Sequence, residues 1–187
     1  MTVVGLGPAG PGLLTRDTTE AIAGTAVRFL RTTRHPAAEA VPGATSFDDH
    51  YERADTIEAV YAAIVDDLVA AASTHGHVLY AVPGSPAVAE RTVEMLRADP
   101  RVEVDVVPAL SCVDLAWVRL GVDPLAEGAR IVDGHRFEVE AAGERGPLLV
   151  LQCDRPEVLA AVKLSADDGG PVTVLHHLGL PDERVET

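Results

Sequence analysis

Two stretches combine glycine and proline in a way that could bring backbone close to a ligand. The first, Gly5-Leu6-Gly7-Pro8-Ala9-Gly10, satisfies G-x-G-x-x-G and follows the apolar run Thr2–Leu6. In dinucleotide-binding folds that spacing opens a helix whose amides receive a pyrophosphate. Here Pro8 and Pro11 would remove amide donors from the loop that must supply them. The next apolar run, Ala26–Arg31, also ends without the acidic residue that would bind a ribose hydroxyl. A nicotinamide or flavin site is therefore not expected, and a tight strand-to-helix turn is the plainer reading. The second stretch, Pro83-Gly84-Ser85-Pro86, follows the apolar run His77–Val82. It is expected to open a helix from Ala87 to Ala98, with free amides at the helix start.

Charge clusters at one further place. Arg28, Arg31, Arg34 and His35 lie close together at the end of the second apolar run. The C-terminal ends of parallel strands point toward the ligand crevice. Arg34 and His35 either reach an anionic ligand there or form a solvated surface loop. Glu90 and Arg91 are expected to pair with each other or with a neighbouring subunit. His50 and Tyr51 are candidate substrate contacts, and Asp48-Asp49 and Asp66-Asp67 read as solvated acid pairs. The two cysteines, Cys112 and Cys153, form no C-x-x-C pair, and the histidines have no ligands at zinc spacing, so no metal is expected. A cysteine content this low fits a reducing cytosol, which gives a cytoplasmic expectation.

These candidates need a scaffold that alternates strands and helices. Thr2–Leu6, Ala26–Arg31, His77–Val82 and Val102–Val107 read as strands. Thr15–Ala23, Thr56–Ser73, Ala87–Ala98 and Ser111–Leu120 read as helices, with Thr15 as an N-cap. The alternation implies a parallel sheet with covering helices. Beyond a linker at Val122–Gly128, the strands Ala129–Val132, Pro147–Gln152 and Pro171–Leu175 and the helix Arg155–Leu164 form a smaller α/β lobe. Gly179–Thr187 reads as a polar tail. The expected domains are an N-terminal lobe, 1–118, and a C-terminal lobe, 119–187, with a cleft between them. The second lobe is small enough to need a partner, and a further domain is expected to follow it in a longer chain.

Composition narrows the function classes. The 187 residues carry 15 basic and 29 acidic side chains, a formal charge of −14. So acidic a chain is not expected to bind nucleic acid or an anionic membrane broadly. Hydrophobic residues make up 47 % and charged residues 24 %, which excludes disordered and fibrous classes. No apolar run approaches the ~18 residues of a membrane span.

The order of motifs resembles a known family. VVGLGPAGPGLLT, VLYAVPGSPAVAERTV and VVPALSCVDLAW look like three loops of the tetrapyrrole (corrin/porphyrin) methylases, class III methyltransferases that use S-adenosylmethionine. FLRTTRHP, SFDDHYE and VTVLHHLGLPDE more closely resemble the methylase-like domain fused to MazG-type nucleoside triphosphate pyrophosphohydrolases. The resemblance implies a two-lobed class III methyltransferase-like α/β fold and a homodimer. It places the cofactor against Gly84, Ser85, Pro86, Val88 and Ala89, against Ser111 and Cys112, against Gln152 and Cys153, and against His177 and Leu178. It leaves Gly7, Pro8, Gly10 and Pro11 on the substrate side, where Arg34 and His35 would join them. Ser85 and Ser111 also read as N-caps of the helices that follow them.

The chain departs from the family pattern at three places. Gly10 stands where the first loop's G-P-G-D-P has aspartate, Ser85 where many members have the aspartate of G-D-P, and Ala109 where many have glycine. Methyl transfer from a sulfonium depends chiefly on alignment, so catalysis survives as an expectation without the first aspartate. The implied function is methyl transfer to an unidentified small molecule, with an anion as one candidate. The alternative is a non-catalytic, regulatory ligand-binding domain of a MazG-type enzyme. Pyrophosphohydrolase chemistry within this chain is not expected, because no E-x-x-E followed by a second acidic pair is present to gather Mg²⁺.

Overall fold

The computed structural model describes residues 1–143, 146–166 and 170–187. They divide into two compact units. The first comprises Met1–Leu115 with His177–Glu183, and the second Ala116–His176 with Arg184–Thr187.

The first unit is built on a five-stranded parallel sheet in the order β3-β2-β4-β1-β5. Its strands are β1 (Thr2–Gly5), β2 (Arg28–Leu30), β3 (Thr45–Ser46), β4 (Leu79–Val82) and β5 (Asp105–Val107). β1 and β4 are adjacent, buried at every position, and read as short β-branched and aliphatic runs. Alternate residues serve opposite faces. Val3, Tyr80 and Val82 join Val60, Ile64, Leu68, Val93 and Leu96 of α3 (Ile57–His75) and α4 (Arg91–Ala98). Val4, Leu79 and Ala81 join Ile22 of α1 (Arg16–Gly24) and Leu30 of β2.

Local signals set the helix ends. The Thr15 hydroxyl accepts from the Thr18 amide at 3.1 Å and caps α1. Thr56 does the same for α3 through the Ala59 amide at 3.2 Å, and Gly76, with φ of 75°, ends that helix. α3 holds two more residues at its C-terminal end than the pattern predicts. α2 (Asp48–Arg53) and β3 lie within the polar stretch that follows β2. The connection after β1 runs to β2 on one side of it, and the connection after β4 runs to β5 on the other. Such a reversal opens a crevice at the C-terminal strand ends.

The second unit contains a parallel pair, β6 (Arg130–Asp133) with β7 (Leu148–Leu151), and an antiparallel hairpin, β8 (Val174–His176) with β9 (Arg184–Glu186). α6 (Phe137–Glu140) and α7 (Pro156–Ser165) accompany them, and α5 (Cys112–Leu120) spans the division of the units. Val132, Phe137, Leu149 and Val158 are buried. The stretch Gly179–Thr187 is therefore not a plain tail, since it carries β9. Among the described residues, no helix is long and apolar enough to cross a membrane.

Candidate functional site

The loops after β1, β4 and β5 converge on Gly5. A Cβ built there would lie 2.3 Å from the Gly84 carbonyl oxygen, 2.6 Å from Ala109 Cβ and 2.7 Å from Pro86 Cδ. No side chain fits, so glycine is a steric requirement of the convergence. Gly7 and Gly84 then exchange backbone hydrogen bonds, at 3.1 Å from the Gly7 amide and 2.8 Å from the Gly84 amide. Both have positive φ, 71° and 65°. A Cβ at Gly7 would meet the Leu13 carbonyl oxygen at 3.0 Å, whereas a Cβ at Gly84 meets nothing within 4 Å. The first loop is thus closed by its own packing, and the second leaves open space above its glycine. Ser85, Pro86, Ala87, Pro108 and Ala109 also line a groove of about 480 Å³ beside β5.

The residues after Gly84 do not form the expected helix. α4 begins at Arg91, and 85–90 is irregular. The buried Ser85 hydroxyl accepts from the Ala87 amide at 3.3 Å, and its carbonyl accepts from the Val88 amide at 3.1 Å. Ser85 is therefore a turn residue and not an N-cap. The Gly84 amide is engaged by Gly7, so the expected row of free amides is absent at that position. Ser111 does behave as a cap. Its amide and hydroxyl both donate to Asp114 Oδ2, at 2.7 and 2.8 Å, the reach-back of a capping box. Cys112, next to it, reaches the surface, but partial desolvation of its thiol raises its pKa, which disfavours a reactive thiolate.

Among the described residues, the only non-glycine positions with positive φ are Ala89 (52°), Gln152 (59°) and His177 (50°). Each stands at a position that the family resemblance assigns to the cofactor. Left-handed backbone is costly for such residues, and such positions cluster at ligand sites. His177 Nδ1 lies 2.5 Å from Asp182 Oδ2. The loop that starts there is folded by bonds from the Leu180 amide to the His177 carbonyl and from the Gly179 amide to Glu183 Oε2, at 2.9 and 2.6 Å. A Cβ on Gly179 would lie 3.0 Å from Ala9 and from Leu115, so Gly179 packs against the glycine-rich first loop, and Leu178 before it is half-buried. In the second unit, Gln152 is exposed. Cys153 packs against Gly134, whose built Cβ would lie 3.3 Å from Cys153 Sγ, and burial raises that thiol's pKa as well.

Of the basic candidates, His35 comes to the site and Arg34 does not. The His35 ring hydrogen-bonds the Gly7 backbone while its Nδ1 accepts from the Ala37 amide at 3.2 Å. Burial lowers its pKa, partly offset by the Gly7 bond, so the ring is neutral near pH 7. Arg34 is 78 % exposed and lies 3.8 Å from Glu52, a surface pair of small value. Pro8 and Gly10 are half-buried, Pro11 is exposed, and a Cβ on Gly10 would meet nothing within 4 Å.

Sequence reasoning missed a buried polar chain behind the second loop. Glu90 pairs with Arg31 and not with Arg91. Its carboxylate binds the Arg31 guanidinium and accepts from the Thr92 hydroxyl at 2.7 Å, and the Tyr80 hydroxyl lies 3.1 Å from that of Thr92. Arg91 pairs instead with Glu94. Arg31 also donates to the Tyr51 hydroxyl at 2.8 Å and lies over the Tyr61 ring. Burial works against the Arg31 charge, but Glu90 and the Tyr51 hydroxyl reverse this and hold its pKa above the ordinary value. Burial and the Glu90 charge push the Tyr80 pKa up. Tyr51 is thus an Arg31 partner, and His50 pairs with Asp67 at 2.8 Å while stacking on Phe47. Asp48 is no solvated acid. Burial would raise its pKa, but bonds from Ser46, Thr32 and Thr33 hold it well below the usual carboxylate range. No sequence spacing signals the Arg31–Glu90 pair, whose members lie 59 positions apart.

A parallel sheet with a strand-order reversal and three loops gathered at its C-terminal edge, in a chain that also carries a smaller α/β unit, is the class III methyltransferase fold. Uroporphyrin-III C-methyl transferase from Thermus thermophilus, complexed with S-adenyl homocysteine, superposes with a TM-score of 0.64 at 23 % identity, covering 99 % of this chain and 81 % of that one. Cobalt precorrin-4 methyltransferase superposes with a TM-score of 0.67 at 16 % identity, covering 99 % and 83 %. The model of the tetrapyrrole (corrin/porphyrin) methylases matches residues 1–187, and the chain belongs to that family. The uncharacterized protein YabN of Bacillus subtilis (strain 168) is 33 % identical over 198 residues, which cover all of this chain and 40 % of YabN. The chain thus spans less than half the length of that relative. The family's cofactor is S-adenosylmethionine.

Proposed function

We propose that this chain is an S-adenosylmethionine-dependent methyltransferase acting on a small-molecule nucleophile. The cofactor is assigned to the Gly84–Ala89 loop, with Ser111, Cys112, His177 and Leu178 beside it. Gly7, Pro8, Gly10, Pro11 and His35 are left to the methyl acceptor. The observation that carries the reading is the asymmetry of the two bridged glycines. Gly84 has the left-handed backbone and empty Cβ position of a cradle, while Gly7 is sealed against Leu13. The residues present therefore fit the cofactor.

When bound, the cofactor supplies an electrophilic methyl on a sulfonium. Fixing the acceptor on the Gly7–Pro11 side aligns nucleophile and methyl, and proximity of this kind contributes much of such a rate. Gly10 offers no carboxylate to take the acceptor's proton. A neutral His35, its ring engaged by the Gly7 backbone and the Ala37 amide, braces the first loop without placing a positive charge beside the acceptor. The acceptor class includes anionic small molecules.

The narrower resemblance, to the methylase-like domain fused to MazG-type pyrophosphohydrolases, is part of the proposal and accords with a chain that spans 40 % of YabN. So is a cytoplasmic homodimer. Ile131, Leu164, Val172 and Val174 of the second unit are at least half exposed, which favours a covering partner. Sedimentation at micromolar concentration should show a dimer, and a stable monomer would remove that part.

The function is tested by calorimetric titration with S-adenosylmethionine and S-adenosylhomocysteine. Saturable binding of both is expected. A folded protein that binds neither would leave the regulatory reading in its place.

A further inference from the structure

The Arg31–Glu90 pair lies in the protein interior, yet it sits directly behind the loop assigned to the cofactor. The Glu90 side chain is 2 % exposed and that of Arg31 19 %. Glu90 follows Ala89, whose left-handed backbone must be held against its own preference. It precedes α4 and supplies the carbonyl to which the Val93 and Glu94 amides donate, at 3.1 and 3.3 Å. Its carboxylate is tied in two directions. One oxygen binds Arg31, whose backbone amide donates to Ala81 of β4 at 2.9 Å. The other takes the Thr92 hydroxyl, which meets Tyr80, also of β4. Both ties therefore return to the strand that leads into the loop. At the loop's other end, Gly84 is pinned by the reciprocal bonds to Gly7. Between the two anchors, Ser85 accepts from the Ala87 and Val88 amides.

Helix propensity argues for a different shape. Ala87, Ala89, Glu90 and the residues of α4 would continue one helix if nothing intervened. A buried ion pair contributes little net stability compared with well-packed apolar side chains, and its better-attested use is to select one conformation. We infer that Arg31 and Glu90 are positioning residues that keep 84–89 out of the helix and in the shape that admits the cofactor. This rests on the proposed methyltransferase reading for its ligand, but not for its claim about the loop.

The test compares the wild-type chain with the double variant Arg31→Met/Glu90→Leu, in which apolar side chains of similar volume replace the pair. Thermal unfolding, S-adenosylhomocysteine titration and amide hydrogen exchange are measured on both. The expected double variant is folded, with its melting temperature nearly retained. It binds S-adenosylhomocysteine at least about 10-fold more weakly, because ordering the loop must now be done by the ligand. Exchange of the amides at 85 and 87–90 should accelerate, or their protection should change to a helical pattern, while β1 and β4 stay protected. A folded double variant with unchanged affinity and unchanged exchange overturns the inference. If the wild type itself does not bind, the methyltransferase reading fails, and exchange at 85–90 alone decides the positioning claim. Should the double variant not fold, Thr92→Val, which removes one of the two ties at nearly constant volume, takes its place with the same readouts in the same directions.

Discussion

The loops after β1 and β4 are joined amide to carbonyl, yet they are built on opposite terms. In the first, glycine is present because the neighbours leave no room. Gly5 faces the Gly84 carbonyl and Gly7 faces that of Leu13. In the second, Gly84 has room to spare, and the far end of its loop is held by distant side chains through Glu90. The G-x-G-x-x-G pattern is thus a structural device here, while the less conspicuous Pro83-Gly84-Ser85-Pro86 carries the candidate site.

The largest effect on stability should come from Gly5→Ala. A methyl 2.3 Å from a backbone oxygen must displace the β4 loop, and such overpacking costs about 3 kcal/mol or more. Denaturant unfolding should show that loss. A loss below about 0.5 kcal/mol, the range of an ordinary surface change, would mean the loops are not tightly joined.

Next in size is Ser111→Ala, at about 1 kcal/mol, because the hydroxyl's bond to Asp114 is lost at the start of α5 while the amide's bond remains. Unfolding would reveal it. If Ser111 instead serves the cofactor alone, stability should hold while S-adenosylhomocysteine affinity drops.

Gly10→Asp restores the acidic residue of the family's first loop. With open space around Gly10 and no positive φ, the change should alter stability by no more than about 0.5 kcal/mol. It should leave S-adenosylhomocysteine affinity unchanged, since that loop is assigned to the acceptor. Weakened cofactor binding would erase the distinction between the loops.

The smallest effect is confined to acid. The folded-state pKa of His35 lies below its ordinary value of 6.5, because burial disfavours the imidazolium. As pH falls below 6.5 the unfolded chain takes up the proton first. The stability supplied by the neutral ring is therefore present above pH 6.5 and is lost as pH falls through the lower folded-state value. His35→Gln cannot titrate, so its unfolding free energy should decline less than that of wild type on that side. Parallel pH profiles would show that His35 is not buried against Gly7.

Much of the scaffold is legible in the residues themselves. β1 and β4 are short apolar runs bounded by glycine or proline, β5 is a β-branched and acidic run that ends at Pro108, and Thr15 marks its helix by capping chemistry. The reading fails where a distant partner decides the local shape. Ala87–Glu90 has good helix formers, but Glu90 is drawn to Arg31 from another strand. Arg184–Glu186 looks like polar tail because its pairing partner, β8, supplies the order that its own side chains do not. Asp48–Arg53 begins with two acids suited to a helix start, yet its shortness and polar setting conceal it. The candidate site was readable as loops, and its supporting chain of Arg31, Glu90, Thr92 and Tyr80 was not.

The most direct test of the contrast is S-adenosylhomocysteine binding, by titration calorimetry, to wild type, Gly84→Leu and Gly10→Leu. Leucine at Gly84 occupies the open space and forces a left-handed backbone, at a cost of about 1–2 kcal/mol in stability. The account predicts that wild type and Gly10→Leu bind alike, while a folded Gly84→Leu shows no measurable binding. Undiminished binding by Gly84→Leu, or its loss in a folded Gly10→Leu, would contradict it.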